Sequence, residues 1–257
     1  MIIPIFFVFL SLICKFNTMK RYILAILLVF SSMVVFSQNA PTDSVGESRP
    51  IKEFLSSFSA IDVDAPVMLT LIKLNAGEAP YIIYDTKGVY TSKFSAEVDS
   101  KTKTLKISER KDPKRLSVTE VKVYFSELGD ISISKATATV EGTLVSQLLD
   151  IVISDDATFK ADVDVLDLMV FASGKSRIVL TGNTHYQTAD ISTAEYDAKD
   201  LSTISTTVES SFSAIVKVDA VERLQAKTAT GGQVLYRSQP VILRSEVAMF
   251  GGDIIHM

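Results

Sequence analysis

Cysteine, tryptophan and histidine are almost missing from this chain. Its 257 residues hold one cysteine, no tryptophan and two histidines. The lone Cys14 excludes a disulfide framework. Because it lies in an N-terminal stretch outside the folded part, a thiol nucleophile is excluded with it. His185 and His256 stand apart, with no HExxH pair and no Cys/His cluster, so no zinc set is expected. The sequence contains no G-x-S-x-G nucleophile elbow. GNTHYQ and GGQV lack the lysine and spacing of a phosphate loop, and GGQVLYRS lacks the nine-residue calcium repeat. Positive charge is also in the minority: 26 Lys and Arg face 30 Asp and Glu, for a formal net charge of −4. An acidic chain lacks the basic face that nucleic acid or an anionic lipid surface would need, so no nucleic-acid partner is expected.

Acidic residues are wholly absent from residues 1–37. There Met19-Lys20-Arg21 precedes YILAILLVFSSMVVFS, and a polar Gln38-Asn39-Ala40 follows. A basic start, an apolar middle and small residues before a polar segment read as a secretory signal peptide. A membrane anchor is the alternative, but the apolar run Tyr22 to Phe36 has 15 residues, short of the ~20 that span a bilayer. Residues 1–18 carry no early positive charge, which makes Met19 the expected true start. LSLIC ends like a lipoprotein signal, yet Ile13 stands where a small residue belongs, so no lipid anchor is expected. Cleavage after Ser37 removes three basic residues and no acidic one, taking the net charge from −4 to −7. The mature chain then has no transmembrane span. QNAPTDSVGESRP, residues 38–50, reads as a flexible linker, and 51–257 as one domain.

From Ile51 onward Val, Ile, Thr, Ser and Ala dominate, and alternation replaces helical spacing. KADVDV, VKVYF and TLKIS each alternate polar with apolar, as half-buried strands do. Only Arg49 to Ser56 allows a short helix. The polar breaks in the apolar runs recur at Ser134, Ser154, Ser173, Ser192, Ser210 and Thr230, with spacings of 20, 19, 19, 18 and 20. A period near 20 residues predicts an all-β, right-handed parallel β-helix-like solenoid, each coil covering the apolar side of the next. An antiparallel sandwich, with turns every ~8–12 residues, is the alternative. In the second coil Ala157, Phe159, Ala161, Val163 and Val165 are expected inward, with Thr158, Lys160, Asp162 and Asp164 outward. In the third, Leu166, Leu168, Val170 and Ala172 are expected inward. Residues 51–130 lack the strict period and are expected to cap the solenoid or form irregular first turns. Strands joined through Asp64-Ala65-Pro66 and hairpins near Asp85–Gly88 and Asp99–Thr102 are expected there.

FSAIDVDAPVMLTL, TLKISER, VKVYFSELGDISIS, ISDDATF, FASGKSRIVLTG and TATGGQVLYRSQPVILRSEV occur in that order over about 51–250. In these segments the chain resembles the putative auto-transporter adhesin, head GIN domain proteins of Bacteroidetes envelopes. The resemblance implies a right-handed β-helix and an adhesin-like role. Ala194-Glu195 and Phe212 depart from the small residues common at such breaks, which implies less regular fourth and fifth coils.

An exported solenoid leaves three function classes open. A non-catalytic binding module leads, a structural envelope protein follows, and a carbohydrate-active β-helix enzyme of the polysaccharide lyase type is the alternative. The last would require Asp155, Asp156, Asp162, Asp164 and Asp167 to gather calcium, with Lys175 or Arg177 as base. Calcium needs about six to eight converging oxygens, whereas alternating carboxylates on a strand ordinarily keep an exposed sheet soluble. No catalytic, cofactor-binding or metal site is therefore expected, and no cofactor. Tyr186, Tyr196 and Tyr236 could form a sugar-stacking stripe, but half-buried packing at a sheet edge is the commoner role of such tyrosines and the one expected. The expected partners are glycans or other envelope proteins. The expected location is the periplasm, the outer-membrane surface or the exterior.

Overall fold

The computed structural model describes residues 49–87, 93–110, 117–248 and 250–257. The signal peptide expected over 1–37 and nearly all of the linker expected over 38–50 lie outside the described residues, as do Gly88 and residues 111–116. About 70% of the structure is strand and 1% helix, arranged as a β-solenoid of about seven turns with coils about 19 residues apart. No helix among the described residues is long and apolar enough to cross a membrane.

Five long strands make the regular part: β9 (Thr137–Ser154), β10 (Thr158–Ala172), β11 (Arg177–Ser192), β12 (Glu195–Ser211) and β13 (Ile215–Thr228). Each pairs in parallel with the next, as Thr158 with Arg177 and Ala172 with Ile191. Each also bends midway, so that one coil contributes a first and a second limb. The bend shows in the burial pattern. Val165 and Leu168 are buried with Leu166 and Asp167 outside between them, and Thr184 and Gln187 repeat this around His185 and Tyr186. Leu166, expected inward, is instead 45% exposed, because strict alternation breaks where the coil turns. The other inward and outward assignments of the second and third coils hold.

The opposite corner explains the repeated Ser and Thr breaks. In Ser154–Ala157, Ser173–Ser176, Ser211–Ala214 and Ala229–Gly232 the fourth residue's N–H donates to the first residue's carbonyl, at 3.0–3.3 Å. The central residues all have positive φ: Asp155 and Asp156, Gly174 and Lys175, Phe212 and Ser213, Thr230 and Gly231. Two successive left-handed residues reverse the chain in the least length. These corners also stack: Asp156 donates to Gly174 O at 2.8 Å, Lys175 to Thr193 O at 3.0 Å and Ser213 to Thr230 O at 3.1 Å. Ser211, rather than Ser210, holds the corner position, since it pairs with Ser192.

The N-terminal strands are β1 (Ile51–Phe54), β2 (Ala60–Asp64), β3 (Val67–Lys73), β4 (Tyr81–Asp85), β5 (Phe94–Asp99), β6 (Thr104–Glu109), β7 (Thr119–Phe125) and β8 (Asp130–Ser134). Arg49 to Ser56 thus holds a strand, not a helix. β1 gains its structure from antiparallel pairing with β4, a non-local partner that local helical spacing does not record. β2 and β3, joined through Ala65-Pro66, form a coil inserted out of sequence order. β2 lies between β6 and β8, and β3 between β7 and β9. β1, β4 and β5 add antiparallel strands beyond this first part. The segment 51–130 therefore supplies both a cap and irregular first turns. At the other end β14 (Gln233–Tyr236), β15 (Ile242–Val247) and β16 (Ile254–His256) complete the limbs.

Inward apolar side chains from Phe58 to Tyr236 form one continuous core. The fourth coil brings polar groups into it. Buried Gln187 donates through Nε2 to the hydroxyl of Tyr196, while Thr206 donates to Gln187 Oε1 at 3.3 Å. The Thr203 and Thr206 hydroxyls bond each other, and Thr203 reaches Asp219 O at 2.8 Å. Burial pushes the Tyr196 phenol up, opposed in part by its Gln187 bond.

Candidate binding surfaces

The two limbs present outer faces of different electrostatic character, one balanced and one acidic. Outward residues of the first limb neutralise one another across coils. Glu195 accepts Arg177 at 3.6 Å and Lys217 at 3.4 Å, Lys217 reaches Asp197 at 3.6 Å, and Arg237 reaches Asp200 at 2.8 Å. Asp162 sits among hydroxyls, accepting Thr143 at 2.6 Å and Thr181 at 2.8 Å.

The second limb shows no such balance. From β2 to β12 its outward residues include Asp62, Asp64, Asp130, Asp150, Asp167, Asp190 and Glu209, and no lysine or arginine. Asp64 is held by Lys135 at 2.6 Å, and Glu209 by Lys227 at 3.1 Å. The carboxylates between them face solvent without an ion pair. Desolvation, followed by the charges of Asp130 and Asp167, holds the Asp150 carboxyl above the ordinary carboxylate value. Interleaved with these acids are exposed Leu148, Val152, Met169, Phe171 and Tyr186. A groove of about 350 Å³ opens beside them, lined in part by Asp62, Asp130, Asp150 and Val152.

Chain topology produces a second concavity. Because the β2–β3 coil is inserted, its chain enters at Ser59 and leaves at Leu74 instead of closing, and Ser126–Gly129 cross the gap on the way from β7 to β8. Gly129 donates to Ser59 O at 2.9 Å, and Leu74 to Phe125 O at 2.7 Å. The resulting pocket of about 780 Å³ is lined by side chains that include Lys73, Asn75, Ser126, Glu127, Ser146 and Gln147.

An aromatic ladder marks the outer face of the N-terminal cap. Phe54 on β1 pairs across to Tyr81 on β4, and Tyr81 to Tyr124 on β7. The Tyr81 and Tyr124 rings stack at 4.1 Å, Phe54 meets Tyr81 edge-on at 6.1 Å, and Lys52 Nζ lies 3.8 Å above the Tyr81 ring. On the opposite side of these strands the Tyr84 hydroxyl donates to Glu53 at 2.6 Å. Burial, then the hydrogen bond and charge of Glu53, push the Tyr84 phenol up to about 12.

The residues weighed for lyase chemistry do not converge. Asp162 and Asp164 share the first-limb face, Asp167 belongs to the second limb, and Asp155 and Asp156 occupy the corner. There Ser134 donates to Asp155 at 2.9 Å. Lys175 is a left-handed corner residue, and Arg177 is engaged with Glu195. Among the described residues, no group of three or more His, Cys, Asp or Glu is placed to hold a metal ion. His185 lies at the bend beside Tyr186, and His256 packs 5.1 Å from Tyr236. The tyrosine stripe does not form either. Tyr186 is 55% exposed, but Tyr196 and Tyr236 are core residues at 0% and 8%. Sequence reading missed the aromatic ladder of Phe54, Tyr81 and Tyr124, whose only local signal is the outward phase of each ring within IKEF, YIIY and VKVYF.

No curated protein matches the chain. Among solved structures, a crystal structure of a putative adhesin from Bacteroides fragilis superposes with a TM-score of 0.76 at 16% identity, covering 82% of this chain and 97% of that one. A putative lipid binding protein from Parabacteroides distasonis gives 0.64 at 15% identity, covering 82% and 97%. A putative adhesin from Parabacteroides merdae gives 0.63 at 15%, again covering 82% and 97%. These likenesses establish a shared fold. A family model matches residues 57–240, spanning the inserted coil, the long strands and β14, and the chain belongs to the putative auto-transporter adhesin, head GIN domain family.

Proposed function

We propose that this chain is an exported, non-catalytic, adhesin-like binding protein of the bacterial cell envelope. Residues 1–37 act as its signal peptide, 38–50 as a flexible linker, and 51–257 as the binding domain. The observation that carries the reading is the second-limb face. Apolar side chains and carboxylates without ion pairs lie there on a rigid parallel ladder, while on the first-limb face Arg177 and Lys217 pair with Glu195 and Asp197. A stacked solenoid suits this role, because inward residues hold the fold and outward ones are free to serve contact. Contacts spread along a face are weak singly, and display of many copies strengthens them. Glycans and other envelope proteins are the partner classes, at the periplasm, the outer-membrane surface or the exterior.

Protein purified from cell envelopes should begin at Gln38 by mass spectrometry. It should be retained by envelope polysaccharide or envelope protein, and leave polygalacturonate uncut with or without calcium. Steady release of unsaturated sugars, lost in Asp162→Asn/Asp164→Asn, would make the protein a lyase instead.

A further inference from the structure

The second-limb face is laid out as a grid, and the grid specifies a partner. Parallel registration aligns Ser132, Val152, Phe171 and Asp190 in one row across the coils. Asp130, Asp150, Met169 and Thr188 form the next, and Leu148, Asp167 and Tyr186 a third. Neighbours along a row are one strand spacing apart, ~4.8 Å, and neighbours across rows about 7 Å. Each exposed apolar side chain among Leu148, Val152, Met169 and Phe171 therefore has a carboxylate within one grid step. Within these rows no cation stands until Lys106 on one side and Arg223 and Lys227 on the other, and Lys135 at the corner after β8 is engaged with Asp64.

We propose that this face, over β8 to β11, is the docking surface for a cationic amphipathic segment of a partner protein. Its Lys or Arg side chains would meet Asp130, Asp150, Asp167 and Asp190, and its apolar side chains Leu148, Val152, Met169 and Phe171. The inference rests on the reading as a binding protein and names the partner's chemistry. Charge complementarity selects the occupant. An anionic membrane is repelled by an all-acidic face, and a purely basic polymer leaves the apolar side chains wet. A second copy of this chain offers its own acidic face, which is repelled, or a first-limb face on which Arg177, Lys217 and Arg237 already hold carboxylates. The alternating side chains of an extended strand, spaced about 7 Å apart, match the grid across its rows. The raised titration of Asp150 fits the same picture, since desolvation and then the charges of Asp130 and Asp167 push it up.

The test titrates the purified protein with a fluorescent peptide of ~10 residues alternating Lys and Leu. Controls are peptides alternating Glu with Leu and Lys with Ser, together with phosphatidylglycerol vesicles. The Lys/Leu peptide should bind in a salt-sensitive manner and at least about tenfold tighter than either control peptide, with no binding to the vesicles. Asp150→Asn/Asp167→Asn and Met169→Ser/Phe171→Ser should each weaken binding about tenfold with no fall in melting temperature, whereas Lys160→Ala on the first limb should not weaken it. Equal binding of the Glu/Leu peptide, equal loss with Lys160→Ala, binding to the vesicles, or no binding of the Lys/Leu peptide would overturn the proposal. If the two double variants are retained by envelope extract as well as the wild type, this docking face is wrong and the binding reading stands. If the wild type is not retained either, the reading itself fails.

Discussion

Three glycines separate the two reasons a coil can require glycine, and replacing each by alanine tests whether the coils stack as described. Gly182 on β11 has φ +108, and an added Cβ would lie 2.1 Å from Val163 O on β10. Gly142, in the bulge of β9, has φ +80 but open space around it. Gly232, at the last corner, has no left-handed φ, yet its Cβ would lie 2.2 Å from Ser210 O and 2.5 Å from Ser210 C. For Gly142→Ala only the backbone term applies, about 1–2 kcal/mol. At Gly182 the same term is joined by an overlap of about 1 Å with backbone oxygen, in coils only ~4.8 Å apart. Relieving it spreads β10 from β11 and weakens two or three ladder hydrogen bonds worth about 1 kcal/mol each, for a total near 3–5 kcal/mol. Gly232→Ala carries the steric part alone, about 2–3 kcal/mol by the same count. In a chain of this size 1 kcal/mol moves the melting temperature by roughly 2–4 °C. Thermal unfolding followed by circular dichroism should therefore place Gly142→Ala a few degrees below wild type, Gly232→Ala lower, and Gly182→Ala lowest. Equal shifts for Gly142→Ala and Gly182→Ala would refute the stacking register on which the whole description depends.

Inward and outward positions of one strand should differ sharply. Val163→Asp buries an unpaired charge and costs several kcal/mol, whereas Lys160→Ala should change stability by about half a kcal/mol or less in denaturant titration. Tyr196→Phe leaves the buried Gln187 amide without its acceptor, at about 1–3 kcal/mol. Adding Gln187→Leu should recover part of that loss, a non-additivity that a double-mutant cycle measures. The Tyr84 phenol titrates higher in the folded state than in the unfolded one. The stability it provides is present below the ordinary tyrosine pKa and is lost as pH rises through about 12. Ultraviolet titration should show that late tyrosine only while the protein is folded, and Tyr84→Phe should abolish it. Asp150 holds its proton more tightly folded than unfolded, so its charge weakens the fold as pH rises through the carboxylate range. Asp150→Asn should thus raise the melting temperature at neutral pH and have little effect in acid.

The regular coils were legible because a coil leaves a local record. Each corner needs one or two residues that accept left-handed backbone, and each limb an alternating run, so polar breaks and apolar phases recur together. The same record was present at Tyr196, which lies two residues from inward Ala194 and two from inward Ala198. Its phase marks it as a packing residue, the commoner of the two roles that its type alone allows. Leu166 failed because phase was carried through a bend that alternation alone does not mark. The inserted coil left no local record. Ala60 pairs with both Thr104 and Asp130, and nothing in 58–77 points to partners so distant in the chain. The pocket at Ser126–Gly129 follows from that insertion, and so was equally invisible. The aromatic ladder needed the β1–β4–β7 pairing before three scattered rings became neighbours.

The difference between the two outer faces is harder to ascribe to folding. Both limbs cover the same core with the same alternation, and both must stay soluble. The first limb meets that need by setting Lys and Arg against Asp and Glu on adjacent coils, which removes like-charge repulsion along its rows. On the second limb Asp130 and Asp150 stand in direct register, and like charges so placed repel by about 1 kcal/mol even in water. The Asp150 carboxyl is raised first by desolvation and then by the charges of Asp130 and Asp167, so that repulsion adds to a burial cost. A single lysine at Ser132 or Thr188 would relieve it without touching the core. Beside the carboxylates, Leu148, Val152 and Phe171 keep apolar area in water, an exposure the inward packing does not require. Neither feature stabilises the solenoid. A cationic amphipathic partner removes both costs together, neutralising the stacked carboxylates and covering the apolar side chains, and in binding it would gain what folding leaves unsatisfied.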